Sequence, residues 1–382
     1  MQPLEGIRVL DLTHVIAGPL ATHQLRALGA EVIKIERPLL GDSIRSLAAQ
    51  PELEGLTPAF RAFNIGKKSV EIDLKSAEGR DAVLALAATA DVFVENFRPG
   101  VAKRLGLSAS DIRKVRPAVI YCSISGWGQS GPRAETPAYD HVIQAATGMM
   151  ALQGNGDADA PPIKVGFPVI DSATGMQAAT AIVAAVLRRA RGDSSPIELD
   201  ISMVDSALVL MSSTVAITRA AGKAPVPAGN RGFVGSPGAE TLPTKDGHIS
   251  VAANTFIQFC NLCNVLGCPE LTKPPYLPAG LPDDAFLTNM ASDTLRHKLI
   301  IELQRFETSD LERQLLEVGV PASKVRNLHE YMTELYPQTP GVDIPGGDGV
   351  LGSGFRWLGE TEPEIDPAPR LGQHNRNFRE SA

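Results

Sequence analysis

The sequence has few cysteines and few aromatic residues. Four cysteines among 382 residues are too few for a disulfide framework in a chain of this length. Cys260 and Cys263 have the Cys-x-x-Cys spacing and Cys268 follows, but a metal or redox site would need a further ligand or a second pair nearby. Apolar residues recur with two of these cysteines at helical spacing: Phe256, Phe259, Cys260, Cys263 and Leu266. The pattern favours the buried face of a helix over metal or redox chemistry.

An excess of basic residues is also missing. The chain has 36 Lys and Arg against 43 Asp and Glu, which gives a formal net charge of -7 and an isoelectric point near 5.6. Nucleic-acid phosphates need a basic face, so the charge argues against a nucleic-acid partner. The 43% hydrophobic and 21% charged residues are typical of soluble globular proteins.

Long hydrophobic runs are scarce as well. The longest apolar stretch, residues 178–187, has about half the length of a membrane span. The first seven residues lack a basic region followed by a long apolar region, so they do not resemble a signal peptide. We therefore expect no membrane partner and a cytoplasmic location.

One common cofactor motif is missing from the turn at residues 13–19, and two common catalytic motifs do not occur. The turn at residues 13–19 has one glycine rather than G-x-G-x-x-G, and Pro19 has no N–H for a pyrophosphate, although Glu36 stands where a ribose-binding acid would. A dinucleotide-binding oxidoreductase is therefore a less favoured alternative. The seven histidines form no H-E-x-x-H, and no serine lies in G-x-S-x-G. We expect neither a metal nor a bound cofactor.

Strand and helix patterns alternate through the first half of the chain. The predicted strands are residues 7–12, 31–35, 91–94, 118–123 and 197–202, and the predicted helices are residues 19–28, 77–90, 108–115 and 204–218. This order predicts an α/β fold with a Rossmann-like parallel sheet that helices cover on both faces.

The composition changes near residue 222. Residues 223–238 are rich in glycine and proline, and a strand at 248–252 and helices at 256–266 and 293–318 are predicted to follow. The sequence thus predicts a large α/β domain, residues 1–222 completed by residues 330–382, and a small domain, residues 223–329.

Two predicted loops carry ligand-binding side chains. Residues 95–100 read Glu-Asn-Phe-Arg-Pro-Gly and follow a strand directly, and Arg37 follows the second strand. Ligands of open α/β sheets bind beyond the carboxyl ends of the strands. An aromatic ring at Phe97 with Arg37 and Arg98 or Arg104 suits a phosphorylated, aromatic ligand.

Asp171 stands between an extended pattern and a helical one. Pro168, Val169 and Ile170 favour extended chain, and the alanine-rich stretch from Ser172 favours helix, so Asp171 is predicted to be the helix N-cap. The positive end of the helix dipole would keep its carboxylate ionised. An ordinary cap and an anionic nucleophile both fit this position, and the local pattern favours the cap.

Five ordered segments carry a resemblance to a known family. They are residues 4–13 (LEGIRVLDLT), 29–38 (GAEVIKIERP), 94–100 (VENFRPG), 137–140 (PAYD) and 166–176 (GFPVIDSATGM). Together they closely resemble the family III coenzyme A transferases, which include formyl-CoA transferase and the carnitine-CoA transferases. The resemblance implies an interlocked homodimer whose active site lies between a large and a small domain.

The resemblance also implies roles for individual residues. It makes Asp171 the catalytic carboxylate, and it makes Arg37, Asn96, Phe97 and Arg104 contacts of coenzyme A. Tyr139 would lie beside them in the active-site lining. Coenzyme A is then part of the thioester substrate rather than a resident cofactor.

The implied reaction moves coenzyme A from a donor acyl-CoA, which we expect to be succinyl-CoA, to a small carboxylic acid. It would pass through an aspartyl mixed anhydride and an aspartyl-CoA thioester. Ile16 and Pro137 replace a glutamine and a lysine of formyl-CoA transferase, so oxalate or formate specificity is not expected. Arg45 and Lys164 are spare cations for the acceptor carboxylate.

A second branch of the superfamily offers an alternative function. The α-methylacyl-CoA racemases use a histidine and an aspartate for proton exchange at the α-carbon. This chain has Tyr139 where that histidine would precede Asp140, and His141 lies two residues away. The sequence therefore favours the transferase over the racemase.

Overall fold

The computed structural model describes residues 2–47, 53–154, 159–232, 235–336, 354–355, 357–358 and 365–379. These residues fall into two compact units. The first unit is formed from residues 1–150, 164–224 and 341–382, and the second unit is formed from residues 151–163 and 225–340. The predicted domain limits at residues 222 and 329 stay a prediction.

The first unit contains a six-stranded parallel sheet in the order β3-β2-β1-β4-β5-β6. Its strands are β1 (Arg8–Asp11), β2 (Glu31–Glu36), β3 (Lys68–Glu71), β4 (Val92–Glu95), β5 (Ile120–Ser125) and β6 (Ile197–Ser202). The predicted α/β class with a parallel sheet is confirmed. The sequence did not predict β3, whose four residues alternate only weakly between polar and apolar.

Helices cover both faces of this sheet. The helices of the first unit are α1 (Ala17–Ala27), α2 (Pro58–Asn64), α3 (Ala77–Ala87), α4 (Val101–Arg104), α5 (Ala109–Val115), α6 (Asp140–Ala146), α7 (Val169–Ala190), α8 (Met203–Leu210), α9 (Ser212–Ala221) and α14 (Asn375–Arg379). The single helix predicted at residues 204–218 is wrong, because the chain bends by 79° between α8 and α9.

Alternate residues of each strand enter different cores. Val9 of β1 packs with α1 and α7 on one face, and Leu10 packs with α3 and α5 on the other. Both residues are fully buried. This two-sided burial accounts for the short, nearly continuous apolar strands in the sequence.

The 22-residue helix α7 is long and apolar enough, by length and composition alone, to cross a membrane. Its side chains Ala178, Ile182 and Ala185 are nonetheless buried in the core against the sheet. Small residues allow α7 to lie close to α1. A Cβ atom added at Gly175 would stand 2.7 Å from the carbonyl oxygen of Ala17.

The second unit has a three-stranded antiparallel sheet in the order β7-β8-β9 and one apolar core. Its elements are β7 (Gly238–Pro243), β8 (His248–Ala253), α10 (Phe256–Leu266), α11 (Asp293–Leu303), α12 (Thr308–Glu317), β9 (Ala322–Lys324) and α13 (Leu328–Glu334). Residues 293–318 form two helices instead of the predicted one, since Asp246 Oδ1 accepts from Thr308 N (2.8 Å) at the start of α12. The predicted helix carrying Cys260 and Cys263 is confirmed.

Candidate active site

Asp171 lies in the first turn of α7 and is not its N-cap. The helix begins at Val169 and its N-cap is Pro168, so Asp171 is the third helical residue. The prediction that Val169 and Ile170 are extended was therefore wrong. Their β-branched side chains lower helix propensity only slightly, and proline is well tolerated immediately before a helix.

The carboxylate that caps α7 comes from a different helix. Asp140, the first residue of α6, accepts through Oδ2 from the N–H groups of Ile170 (2.7 Å) and Asp171 (3.0 Å). Its Oδ1 accepts from Gln144 Nε2 (2.5 Å), and Gln144 Oε1 accepts from Val165 N (2.9 Å). Asp140 therefore satisfies the free amides at the start of α7 and leaves the side chain of Asp171 available for other contacts.

The environment of Asp171 favours its protonated form. Burial, reinforced by the negative charge of Asp140, raises the pKa of Asp171 to about 7. The expectation of a carboxylate that stays fully ionised was therefore wrong. A sequence shows a helix start, but it does not show that a second carboxylate from another element occupies the free amides there.

A cavity of about 370 Å³ opens at the carboxyl edge of the sheet. Three of its walls lie at strand ends: residues 12–14 follow β1, residues 34–37 span the end of β2, and residues 72–75 follow β3. The remaining wall residues are 41–43, Phe97, Val101 and Leu105. Arg37 and Phe97, both predicted from the sequence, therefore share one cavity. Residues 72–75, which include Lys75, were missed because they follow β3, a strand that the sequence pattern did not reveal.

The other predicted contacts of coenzyme A do not line this cavity. Asn96 holds the turn after β1: its Oδ1 accepts from His14 N (3.0 Å) and its Nδ2 donates to His14 O (2.9 Å). Arg104, at the end of α4, is exposed. Tyr139, immediately before α6, is 66% exposed, and its ring stacks on that of His141 in the first turn of α6.

Asp171 and the cavity lie at the same edge of the sheet. Gly175, one turn after Asp171, contacts Ala17 and Leu20 at the beginning of α1, and the turn before α1 forms a cavity wall. The far end of α7 lies at the opposite edge, where Arg189 donates to Ala118 O before β5 (2.7 Å). The start of α1 therefore connects the cavity wall to the first turns of α7.

Buried ion pairs fix the turn between β1 and α1. Lys34 Nζ lies 3.0 Å from Asp42 Oδ2 and donates to Thr13 O (2.7 Å). Asp42 Oδ1 accepts from Val15 N (3.0 Å), and Val15 has a φ of 70°, an unfavourable value for a β-branched residue. The charges of Lys34 and Asp42 are almost fully buried. No role for these residues was predicted from the sequence.

The two cations proposed for the acceptor lie in different environments. Arg45 is buried, donates to both carboxylate oxygens of Glu36 (2.8 and 2.7 Å) and covers the ring of Phe60. It is therefore committed to the protein itself, and its predicted role was wrong. Lys164 is exposed, and the next residue, Val165, belongs to the hydrogen-bonded chain that leads through Gln144 to Asp140.

The sequence profile of CoA-transferase family III matches residues 4–375, which include both the cavity and Asp171. The chain belongs to this family. It is a CoA-transferase, as its resemblance to the family implied. Among the described residues, no cluster of three or more His, Cys, Asp or Glu side chains could hold a metal ion.

Named CoA-transferases from other organisms match almost the whole chain. Succinyl-CoA:glutarate CoA-transferase of Mus musculus is 34% identical over 99% of this chain and 86% of its own length. Succinate–glutarate CoA-transferase of Agrobacterium fabrum is 34% identical over 97% of this chain and 94% of its own length. A crystal structure of a CAIB/BAIF family protein from Brucella suis is 31% identical, covers both chains completely and has a TM-score of 0.86.

Proposed function

We propose that this family III enzyme transfers coenzyme A from succinyl-CoA to a small dicarboxylic acid and that Asp171 is its nucleophile. The observation that carries the proposal is the position of Asp171. It is a largely buried carboxylate at the start of α7, on the sheet edge where a cavity of about 370 Å³ opens. Ligand pockets of small molecules have volumes of about 300–1,000 Å³.

Coenzyme A fits the chemistry of the cavity walls. The ring of Phe97 offers a face for adenine, and the cations Arg37 and Lys75 can pair with phosphates. Arg104 is exposed nearby on α4 and is a third phosphate contact in this proposal. Asn96 supports the site indirectly by fixing the backbone of His14.

The first half of the proposed reaction unloads the donor. A carboxylate oxygen of Asp171 attacks the thioester carbonyl, a C–O bond forms, the C–S bond breaks, and coenzyme A leaves as its thiolate. The thiolate then attacks the γ-carbonyl of the resulting mixed anhydride. A C–S bond forms, the anhydride C–O bond breaks, and succinate leaves while Asp171 holds coenzyme A as a thioester.

The second half loads the acceptor. The acceptor carboxylate attacks the γ-carbonyl of the aspartyl-CoA thioester, which gives a new mixed anhydride and releases the thiolate. The thiolate attacks the acceptor's carbonyl carbon, forming the new acyl-CoA and freeing the carboxylate of Asp171. Water would hydrolyse both intermediates, so the partial burial of Asp171 suits this sequence of steps.

A dicarboxylate is our proposed acceptor for two reasons. The two relatives described above are named as succinyl-CoA:glutarate and succinate–glutarate transferases. Lys164 is an exposed cation beside Val165, which two hydrogen bonds through Gln144 connect to Asp140, and in this proposal Lys164 holds the second carboxylate of such an acid. Glutarate is therefore the first acceptor to test.

A homodimer is also part of the proposal. Several large apolar side chains are exposed on neighbouring helices of the first unit: Leu187 on α7, Leu208, Val209 and Leu210 on α8, and Ile217 on α9. Apolar surface of this kind is typical of protein interfaces. The interlocked arrangement and the cytoplasmic location are expectations from the family resemblance and the sequence.

An acceptor screen tests the proposed function. Purified protein is supplied with succinyl-CoA or acetyl-CoA and with glutarate, other dicarboxylates, hydroxy acids or oxalate, and new acyl-CoA is measured by mass spectrometry. We expect glutaryl-CoA from succinyl-CoA, no product from oxalate, and no transfer by Asp171→Asn. Transfer by Asp171→Asn at the wild-type rate would overturn the role of Asp171, and absence of any product with dicarboxylates would overturn the acceptor class.

A further inference from the structure

The edge strand β3 is covered by a segment near the end of the chain, residues 369–375, which we call the C-terminal clasp. His374 N donates to Ser69 O (3.0 Å), and Ser69 N donates to Nδ1 of the His374 ring (3.1 Å). Glu71 N donates to Asn375 Oδ1 (2.8 Å). The clasp therefore satisfies the backbone groups that an edge strand would otherwise leave unpaired.

The clasp is connected to two walls of the cavity. β3 continues directly into residues 72–75, which line the cavity. Ser69 Oγ accepts from Gly372 N (3.0 Å) and donates to Glu36 Oε1 (2.6 Å), and Glu36, the last residue of β2, lines the cavity. The clasp also binds the partner of Glu36, because Pro369 O accepts from Arg45 Nη2 (3.1 Å).

We infer that His374 is a positioning residue for coenzyme A binding: its neutral ring closes the clasp on β3, and its protonation releases the clasp and loosens the cavity. This inference rests on the proposed binding of coenzyme A in the cavity. His374 touches neither the cavity nor Asp171 in the contacts described, so it acts through Ser69 and through the strand that leads to residues 72–75.

The hydrogen bond to Ser69 requires one protonation state. Nδ1 can accept the N–H of Ser69 only while it keeps its lone pair, so the neutral ring carries its proton on Nε2. An imidazolium would point a donor at a donor. Burial and the positive charge of Lys68 lower the pKa of His374, while Asp366 acts in the opposite direction. The other nearby carboxylate, Glu71, accepts from Asn375 Nδ2 (3.2 Å).

The direction of the pH effect follows from this shift. A released His374 has an ordinary pKa of about 6.5, and the clasped ring has a lower one. Between these two pKa values, the released ring of His374 binds more protons than the clasped ring does. Lowering the pH below about 6.5 therefore favours release of the clasp. Above that pH both states are neutral and the clasp is fully stable.

Binding of free coenzyme A, measured by calorimetry at pH 5.5 and pH 7.5, tests the inference. His374→Asn places an amide oxygen near the position of Nδ1 and cannot titrate, whereas His374→Leu removes the acceptor. Between pH 7.5 and pH 5.5, we expect the affinity of wild type for coenzyme A to fall about fivefold more than the affinity of His374→Asn. A factor of about five corresponds to the loss of one ordinary hydrogen bond. His374→Leu should bind about fivefold more weakly at pH 7.5, with kcat at saturating donor unchanged.

Two comparisons isolate the role of His374. His14 lines the cavity, so its own protonation can also change the affinity for coenzyme A. The decisive quantity is therefore the difference between the affinities of wild type and His374→Asn at each pH, rather than the wild-type pH profile alone. His329→Asn makes the same substitution at an exposed site on α13 and should retain the wild-type profile. Identical pH profiles for wild type and His374→Asn would overturn the inference.

Amide hydrogen exchange separates this inference from the proposed function. Without ligand, the Ser69 and Glu71 amides should lose protection between pH 7.5 and 5.5 in wild type, after correction for intrinsic exchange, and keep it in His374→Asn. If the protein binds no coenzyme A, the proposed function fails while this exchange still decides the clasp. Equal protection of both amides at the two pH values in wild type would overturn the clasp.

Discussion

Asp171 is held in conditions that act against its ionisation. It is mostly buried, and the carboxylate of Asp140 occupies the backbone amides that would otherwise stabilise its anion. A carboxylate with a pKa of about 7 is a stronger nucleophile, when ionised, than one with an ordinary pKa of about 4. Asp140 therefore contributes to the proposed reaction through charge as well as through hydrogen bonding.

This arrangement predicts the pH dependence of the reaction. Only the ionised form of Asp171 attacks, so kcat/KM should rise about tenfold per pH unit below pH 7 and level off above it. Asp140→Asn keeps an oxygen for the amides of Ile170 and Asp171 but removes the charge, so its midpoint should move to lower pH. Initial rates from pH 5 to 9 measure both profiles. A wild-type profile that is flat between pH 5 and 8 would contradict the raised pKa.

At the scale of secondary-structure elements, a buried lysine joins three of them. Lys67 Nζ lies 3.1 Å from Asp11 Oδ2 on β1 and donates to Thr22 Oγ1 on α1 (2.8 Å) and Asn64 Oδ1 on α2 (3.0 Å). Both charged groups are fully buried, and burial lowers the pKa of Lys67 to about 8. These contacts fix the start of α1, on which the turn lining the cavity depends.

Removing this charge should destabilise the fold strongly. We expect Lys67→Met to lower the free energy of unfolding by about 3–5 kcal/mol, because Asp11 loses its nearest buried partner. The neighbouring Lys68 pairs with Glu31 near the surface, so Lys68→Met should cost less than about 1 kcal/mol. Urea denaturation followed by circular dichroism measures both. Equal losses in the two variants would show that burial of the pair has no special effect.

Elements with strong local patterns could be predicted from the sequence, and elements fixed by distant partners could not. The core strands and α3, α5 and α10 were recognisable from apolar periodicity and caps such as Ser108. By contrast, β3 is short and half polar, and it is held at the sheet edge by residues more than 300 positions later in the chain. The wall after β3 was missed for the same reason.

The candidate site divides in the same way. Phe97 and Arg37 follow predicted strands, and their shared edge could be inferred from the α/β pattern alone. The position of Asp171 at the start of a helix was also visible in the sequence. Its protonation could not be predicted, since it depends on Asp140 from another helix, and the burial of Arg45 depends on Glu36 in the same way.

At the scale of the whole molecule, the exposed apolar side chains of α8 and α9 predict self-association. We expect a solution mass of about 81 kDa, twice the 40.5 kDa of one chain. Val209 is 57% exposed, so Val209→Asp should shift the protein toward monomer, whereas Leu316→Asp on α12, with 54% exposure, should not. Sedimentation equilibrium distinguishes these cases, and a wild-type monomer at micromolar concentration would contradict the prediction.

The proposed reaction requires that Asp171 carry the transferred group covalently. The most direct measurement is peptide mass spectrometry of enzyme incubated with succinyl-CoA, without acceptor, and quenched in acid or trapped with hydroxylamine. We expect coenzyme A, or a hydroxamate after trapping, on the peptide that contains Asp171, and neither in Asp171→Asn. An unmodified Asp171 in enzyme that turns over rapidly once acceptor is added, or a modification on another residue that survives in Asp171→Asn, would rule out covalent transfer through Asp171.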